Sequence, residues 1–387
     1  MEKYIIIGNG VAGTSAAEQM SKFDQGDITI LSKESVPFYN RIQLNEYLPG
    51  YLSTSDLIIR DPDWYKSRKI NLSLQSEVKS VDIFNHVVQC TNGDLYEFDK
   101  LLIATGGYPF RPKVTGYDLQ GVFTLRTIED AEAIRHYSDR VKTVVIVGGG
   151  LLGLETGNGF LRMGKRVIVL ETLDRLLPRQ LDTPAAERLG YLLEQIGFEL
   201  RVGVKVIQYL GDQSGSVQKV CLADGEKIEA DMILVSAGIR PDIQLAREMG
   251  LECNRGIIVN SELRTSCPDI HAAGDCAEYK GMVYGIWPAA MEQGRIAGMQ
   301  MIGKNVQYQG SLIANRLKVA GVELASAGEI DSDNRFESIV TEEIGRYQKL
   351  VTDQGRLIGC ILLGQTGNFT MLSKMIKEKK PIDGLLE

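Results

Sequence analysis

The sequence has 387 residues, 44% of them hydrophobic and 24% charged, with a formal net charge of −7. That length fits two or three domains with ample core, and the composition excludes a disordered or collagen-like chain. No apolar run approaches the ~18 residues of a spanning helix, and the acidic balance speaks against nucleic-acid binding.

From the N-terminus, Met1-Glu2-Lys3-Tyr4 runs straight into a β-branched strand without the apolar stretch of a signal peptide. The strand ends in a glycine loop: residues 4–13 read YIIIGNGVAG, a GxGxxG at Gly8, Gly10 and Gly13. A helical pattern follows, then the apolar run Asp27 to Leu31, then Ser32, Lys33 and Glu34. The same device returns at 144–153, VVIVGGGLLG, with Gly148, Gly150 and Gly153, and its apolar run Arg166 to Leu170 ends on Glu171.

The spacing has physical causes. The first glycine permits the tight strand-to-helix turn, the second lets backbone approach a pyrophosphate, and the third lets helix and strand pack closely. First-turn amides, at Val11 and Ala12 and at Leu151 and Leu152, then face the phosphates with the positive end of the helix dipole. The acid beyond the second run accepts from a ribose diol. Two such copies predict an α/β chain with two Rossmann-like dinucleotide-binding domains. Glu171 would repel a 2′-phosphate, which predicts NADH over NADPH; the nearest arginine is Arg175. In the first copy Glu34 is the choice for the ribose acid, with Ser32 or backbone as the other option.

Six cysteines are scattered so that no two lie within five residues, which excludes a CxxC pair, a zinc knuckle and an iron–sulfur run. No metal site is expected, and the thiols read as reduced ones of a cytoplasmic protein. Residues 265–276 read TSCPDIHAAGDC, where a strand end presents Asp275 beside a glycine; His271 reads as a core filler and not as a base.

The doubled loop and TSCPDIHAAGDC together resemble the two-dinucleotide-binding-domain flavoproteins of the pyridine nucleotide–disulfide oxidoreductase superfamily, over residues 1 to about 310. The resemblance implies FAD on the first loop, NADH on the second, and a glutathione-reductase-like architecture. It implies a discontinuous FAD-binding domain, 1–110 and 240–311, an NAD-binding domain, 111–239, and a small C-terminal α/β interface domain, 312–387. It also assigns residues. Asp275 would take the flavin's ribityl or pyrophosphate portion. Thr105 and Gly106 lie in the ATG strand that leaves the FAD domain, and Gly238 in the crossing that returns to it. Val78 would bracket the adenine by backbone hydrogen bonds. Trp287 and Ala289 would lie against the isoalloxazine, and Arg41 on the pyrophosphate. Lys318 would face the flavin N1 edge, and Glu155 would orient the nicotinamide.

The segment Pro37 to Leu48, where disulfide reductases of this superfamily carry their cysteine pair, has no cysteine. It resembles instead the YxRxxLxxxL run of ferredoxin-, rubredoxin- and nitrite-reductase-type flavoproteins. Ile42 and Glu46 depart from the proline and lysine of many ferredoxin reductases, which moves the match towards NADH:rubredoxin oxidoreductases and nitrite reductase flavin modules. The implied reaction takes electrons from NADH through flavin to a one-electron carrier, rubredoxin foremost. The carrier would be small and acidic, docking on Arg60, Lys66, Arg68 and Lys69 or on Lys374, Lys377, Lys379 and Lys380. As a nitrite reductase module the chain, ending at Glu387 without a Cys-rich extension, would need a partner chain. A ferredoxin reductase, an oxygen-reducing NADH oxidase and a non-catalytic flavin-binding sensor or scaffold are the other readings.

Overall fold

The computed structural model describes residues 1–23 and 26–382. The chain forms two compact units. The first comprises Met1–Asn40, Thr54–Tyr108 and Ile239–Ser311; the second comprises Arg41–Ser53, Pro109–Gly238 and the residues from Leu312 onward.

In the first unit a five-stranded parallel sheet runs in the order Ile270–Ala272, Lys100–Ile103, Lys3–Ile7, Asp27–Leu31, Ile70–Ser73. Ile5, Ile6, Leu101 and Leu102 are buried, as β-branched and apolar runs covered on both faces should be. The helices Val11–Ser21 and Trp287–Met301 pack tightly together. Their contact is made of small residues: a Cβ on Gly294 would stand 2.1 Å from the Ala12 carbonyl oxygen, and one on Gly298 would stand 2.7 Å from that of Ala16. Beside the sheet lies an antiparallel ribbon of Val78–Asp82, Val87–Cys90 and Leu95–Glu97.

The second unit repeats the sheet. Its order is Val122–Phe123, Met232–Val235, Thr143–Val147, Arg166–Leu170, Phe198–Arg201, again all parallel. The register repeats as well: Ile7 faces Leu31 and Ile103, and Val147 faces Leu170 and Val235. The same unit holds a five-stranded antiparallel sheet in the order Ala314–Val319, Val322–Gly328, Arg356–Leu363, Arg346–Asp353, Glu337–Glu343. The helix Phe369–Glu378 closes its core, with Phe369, Leu372 and Ile376 against Ala325, Leu357 and Leu362. A buried cluster ties this sheet to the helix Thr183–Gln195. Tyr347 donates to Asp182 at 2.7 Å, and the 3%-exposed Lys349 lies 3.3 Å from the same carboxylate. Asp182 also caps that helix, accepting from the Ala185 amide.

Between the first sheet and the second, the chain leaves through Gly107–Pro109 and returns through Ile239–Pro241, and these strands pair. No helix among the described residues is long and apolar enough to cross a membrane.

Candidate cofactor sites

Both glycine loops meet the same steric demands. Gly8 has φ +112°, and a Cβ there would stand 2.2 Å from the Ala104 carbonyl oxygen; Gly148 has φ +120°, and its Cβ would stand 2.3 Å from that of Ser236. Gly13 and Gly153 pack so closely on their own loops that a Cβ would meet the carbonyl oxygens of Gly8 and Gly148 at 2.0 and 2.4 Å. Gly10 and Gly150 differ from these: a Cβ on either would meet nothing within 4 Å. These middle glycines cap their helices with no side-chain hydrogen bond. Elsewhere Thr127 forms a capping box and Asp182 caps its helix. Open crests over uncapped first turns leave backbone N–H groups for a ligand's phosphates. Both loops therefore fit a dinucleotide pyrophosphate. Val11 and Ala12, and Leu151 and Leu152, lie in those first turns.

The strand ends separate the copies. Glu171 follows its strand directly and is 9% exposed; one oxygen accepts from the Gly149 amide at 2.7 Å, the other from the Leu173 amide at 2.8 Å. The carboxylate is thus fixed against the second loop. Arg175 donates to Asp174 at 2.9 Å and to the Leu181 carbonyl at 3.3 Å. In the first copy Ser32 holds the position of Glu171: its amide bonds to Ser73 as that of Glu171 bonds to Arg201. Lys33 is exposed, and Glu34 accepts from the Tyr39 hydroxyl at 2.7 Å. Asn9, in the crest of the first loop, accepts from Tyr65 at 3.0 Å and from Thr14 at 3.1 Å. Its buried Nδ2 has no partner. Sequence reasoning gave Asn9 no role, although an asparagine where the second loop has Gly149 was the available signal.

The other expected contacts of the first unit gather around its sheet. Asp275 follows the strand Ile270–Ala272, and a Cβ on the adjacent Gly274 would stand 3.0 Å from Ala12 Cβ. Gln293, 1% exposed, accepts from the Gly274 amide at 2.8 Å, and so ties that turn to the helix Trp287–Met301. Trp287 starts that helix and packs on Phe38 with ring centroids 5.7 Å apart; Ala289 is fully buried. Thr105 donates to the Asp242 carbonyl at 2.7 Å, and the Gly106 carbonyl accepts from the Asp242 amide at 2.9 Å. Val78 opens the antiparallel ribbon opposite Cys90. His271 is 2% exposed, with neither ring nitrogen hydrogen-bonded, and burial drives its pKa down to about 3. It is a neutral core residue and has no use as a base.

In the second unit Gly238, at φ +89°, follows the strand Met232–Val235, and its carbonyl accepts from Phe110. Arg41 donates to the Arg126 carbonyl at 2.8 Å. Glu155, in the helix Leu151–Arg162, accepts from Asn45 at 2.6 Å. Burial first, then the neighbouring Glu46, lifts its pKa to about 7. Lys318 is exposed on the edge strand Ala314–Val319, opposite Glu323. All six cysteines are free thiols; Cys276 and Cys360 are buried, and that burial raises their pKa to about 11 and about 12. Neither is a reactive thiolate at neutral pH.

Comparison with known proteins agrees with this geometry. Residues 2–294 match the pyridine nucleotide-disulphide oxidoreductase family, and residues 314–380 match the rubredoxin NAD+ reductase C-terminal domain. The chain is 35% identical over 386 residues to an NAD(P)H nitrite reductase of Bacillus subtilis, covering 98% of this chain and 48% of that protein. It is 34% identical over 283 residues to a rubredoxin-NAD(+) reductase of Pseudomonas putida, 73% of each chain. Among solved structures, that of a covalent putidaredoxin reductase–putidaredoxin complex superimposes with a TM-score of 0.92 at 25% identity, over 100% of this chain and 95% of that one. The chain spans about half the length of the nitrite reductases it matches. By its doubled glycine loop, its repeated sheet and the extent of these matches, the chain belongs to the pyridine nucleotide-disulphide oxidoreductase family of FAD- and pyridine-nucleotide-dependent flavoproteins.

Proposed function

We propose that the protein is an NADH-dependent flavoprotein reductase that passes electrons from NADH through FAD to a one-electron carrier protein, rubredoxin in the first place. The observation that carries this reading is the pair of open, uncapped glycine loops in a chain whose segment Pro37 to Leu48 has no cysteine. The cofactors are FAD and NADH. When bound, the flavin accepts hydride from the nicotinamide and gives electrons up singly, which is its own chemistry.

The chain's residues bind and orient. Gly8, Gly10, Val11, Ala12 and Gly13 would hold the FAD pyrophosphate, joined by Arg41. Ser32, Lys33 or Glu34 would take the adenosine ribose, and Val78 the adenine. Asp275 would accept from the polyol, with Thr105, Gly106, Trp287 and Ala289 towards the ring. Lys318 would supply positive charge to the ring's pyrimidine edge. For NADH, Gly148, Gly150, Leu151, Leu152 and Gly153 would hold the pyrophosphate and Gly238 would line the site. Glu171 would take the ribose diol and Glu155 would orient the nicotinamide. Arg175 is already held by Asp174 and Leu181, which supports NADH over NADPH.

The electrons must leave the chain, because no CxxC pair can store them. For an acidic carrier we choose the surface at Arg60, Lys66, Arg68 and Lys69, where both arginines lie over the Trp64 ring. Ion pairing does not separate it from the other cluster, which includes Lys377 and Lys379: Lys374 and Lys380 share Glu378, and Arg60 pairs with Glu18 at 3.3 Å. The scattered free thiols favour the cytoplasm. A second reading, the flavin module of a nitrite reductase system, is favoured by the 98% coverage of this chain in that comparison.

An anaerobic assay of the FAD-loaded protein with NADH, against rubredoxin, ferredoxin and a disulfide in parallel, separates the readings. Turnover on rubredoxin alone is the expected result. Flavin bleaching without turnover on any carrier overturns the rubredoxin assignment and favours a dedicated redox partner. No bleaching overturns the reductase reading and leaves a flavin-binding sensor or scaffold.

A further inference from the structure

Glu155 sits in the helix that the second glycine loop opens, just past Gly153. The group that holds its carboxyl comes from elsewhere in the chain. Asn45, in the short helix Leu44–Tyr47, donates from Nδ2 to Glu155 Oε2 at 2.6 Å across 110 residues of sequence. Asn45 is 9% exposed, and its other end, Oδ1, has no hydrogen-bond partner. An unpartnered buried amide oxygen is costly and asks for a reason.

The charges around Glu155 are few. Glu46, on the packed short helix, repels it, and Arg162, at the end of its own helix, attracts it. Strand Ala314–Val319, which also touches this helix, carries Arg316 and Lys318; strand Arg166–Leu170 carries Arg166, which is bound to Glu199. Burial and Glu46 together bring the Glu155 proton into the neutral range. A carboxyl that titrates there must be held in two chemical states. The carboxylate needs a donor, and the carboxylic acid needs an acceptor for its O–H. A carboxamide has one of each, exchanged by a half-turn of the side chain. In the charged state Nδ2 donates, as observed; in the protonated state Oδ1, now without a partner, would accept.

We propose that Asn45 is a positioning residue for Glu155, holding its carboxyl in one place on the second glycine-loop helix in both the charged and the protonated form. The inference deepens the NADH reading and rests on it: the orienting role of Glu155 then persists while its proton comes and goes.

The test reads the carboxyl directly. In full-length protein with isotope-labelled glutamate, infrared spectroscopy follows the carboxylic-acid stretch against pH, with Glu155→Gln identifying the band. Asn45→Leu and Asn45→Ser each remove a charge-assisted bond to the carboxylate and a weaker neutral bond to the acid, so the midpoint rises by the difference, about one pH unit. Asn45→Gln restores the amide and brings the midpoint back. Calorimetric NAD+ titrations at about pH 6 and about pH 9 add a second readout: Asn45→Leu lowers the affinity about tenfold at both pH values, and on a Glu155→Gln background it changes nothing. A folded Asn45→Ser protein whose midpoint stays at the wild-type value overturns the proposal, as does a loss of NAD+ affinity in Asn45→Leu that is equally large on the Glu155→Gln background. Wild-type protein that binds no NAD+ would sink the NADH reading alone, since the midpoint is read without nucleotide.

Discussion

The two glycine-loop halves share a backbone and differ in what surrounds it. Gly8 and Gly148 adopt the same left-handed turn, Gly13 and Gly153 the same close packing, and Gly10 and Gly150 the same open crest. Around the first loop stand Asn9, Thr14 and Tyr65, joined by hydrogen bonds, with Ser32 at the strand end. Around the second, Gly149 and Leu154 replace Asn9 and Thr14, and Glu171 closes the loop through the Gly149 amide. The covering layers differ too. Small residues let the helix Trp287–Met301 settle on the first helix, whereas Gly159 lets the second approach Asn45 and Pro49. The loop geometry is therefore common to the two halves, and the side chains beside it are what set them apart.

The largest expected effect tests the shared part. Gly8→Ala and Gly148→Ala each place a Cβ at positive φ against a carbonyl oxygen, and each should cost about 3 kcal/mol in urea unfolding. Gly10→Ala and Gly150→Ala, with open space, should change stability by less than about 0.5 kcal/mol. If Gly148→Ala were tolerated while Gly8→Ala was not, the loops would not be equivalent.

A second experiment exchanges a core residue between the sheets. By register His271, opposite Leu102, is the counterpart of Phe123, opposite Leu234. The folded His271 has its pKa lowered from 6.5 to about 3, so only the unfolded chain takes up its proton in that range. Its stabilising share is complete above pH 6.5 and is lost as the pH falls towards 3. Between about pH 6.5 and about pH 5 the wild type should lose about 2 kcal/mol that His271→Phe keeps. Parallel pH slopes for the two proteins would show that the imidazole is hydrated in the folded state.

The smallest effect concerns nucleotide choice. Glu171→Ser gives the second half the residue of the first. NADH affinity should fall about tenfold, a change of about 1.4 kcal/mol, while NADPH affinity holds or rises. Unchanged discrimination between the two in binding titrations would shift the determinant away from the strand end.

Much of this was legible in the sequence, and the parts that were not share one cause. Both loops, the strands before and after them, the crossings at Thr105 and Gly238 and the burial of His271 follow from local patterns. A positive φ needs glycine, and a buried parallel strand needs a continuous apolar run. The partner of a side chain follows no such local rule. Glu34 read as the ribose acid with Ser32 or backbone as the other option, and only the register shows Ser32 at the strand end and Glu34 at the Tyr39 hydroxyl. Gln293 had no role assigned from the sequence, and its hold on the Gly274 amide depends on where the helix Trp287–Met301 lies against the turn after Ala272. The Asp182, Tyr347 and Lys349 cluster joins residues 165 apart, and its members look ordinary where they stand in the chain.

The sequence by itself determined that two dinucleotide-binding folds occur in series, with a further small domain after them and no cysteine in the segment Pro37 to Leu48 between the two glycine loops. It could do so because those features reside in backbone conformation and short-range periodicity, which a few neighbouring residues specify. Only the tertiary structure decided that residues 41–53 group with the second unit, that Glu155 is held by Asn45, and that Glu171 is fixed on its loop. Those outcomes depend on which distant groups are brought within about 3 Å of each other, the range of a hydrogen bond.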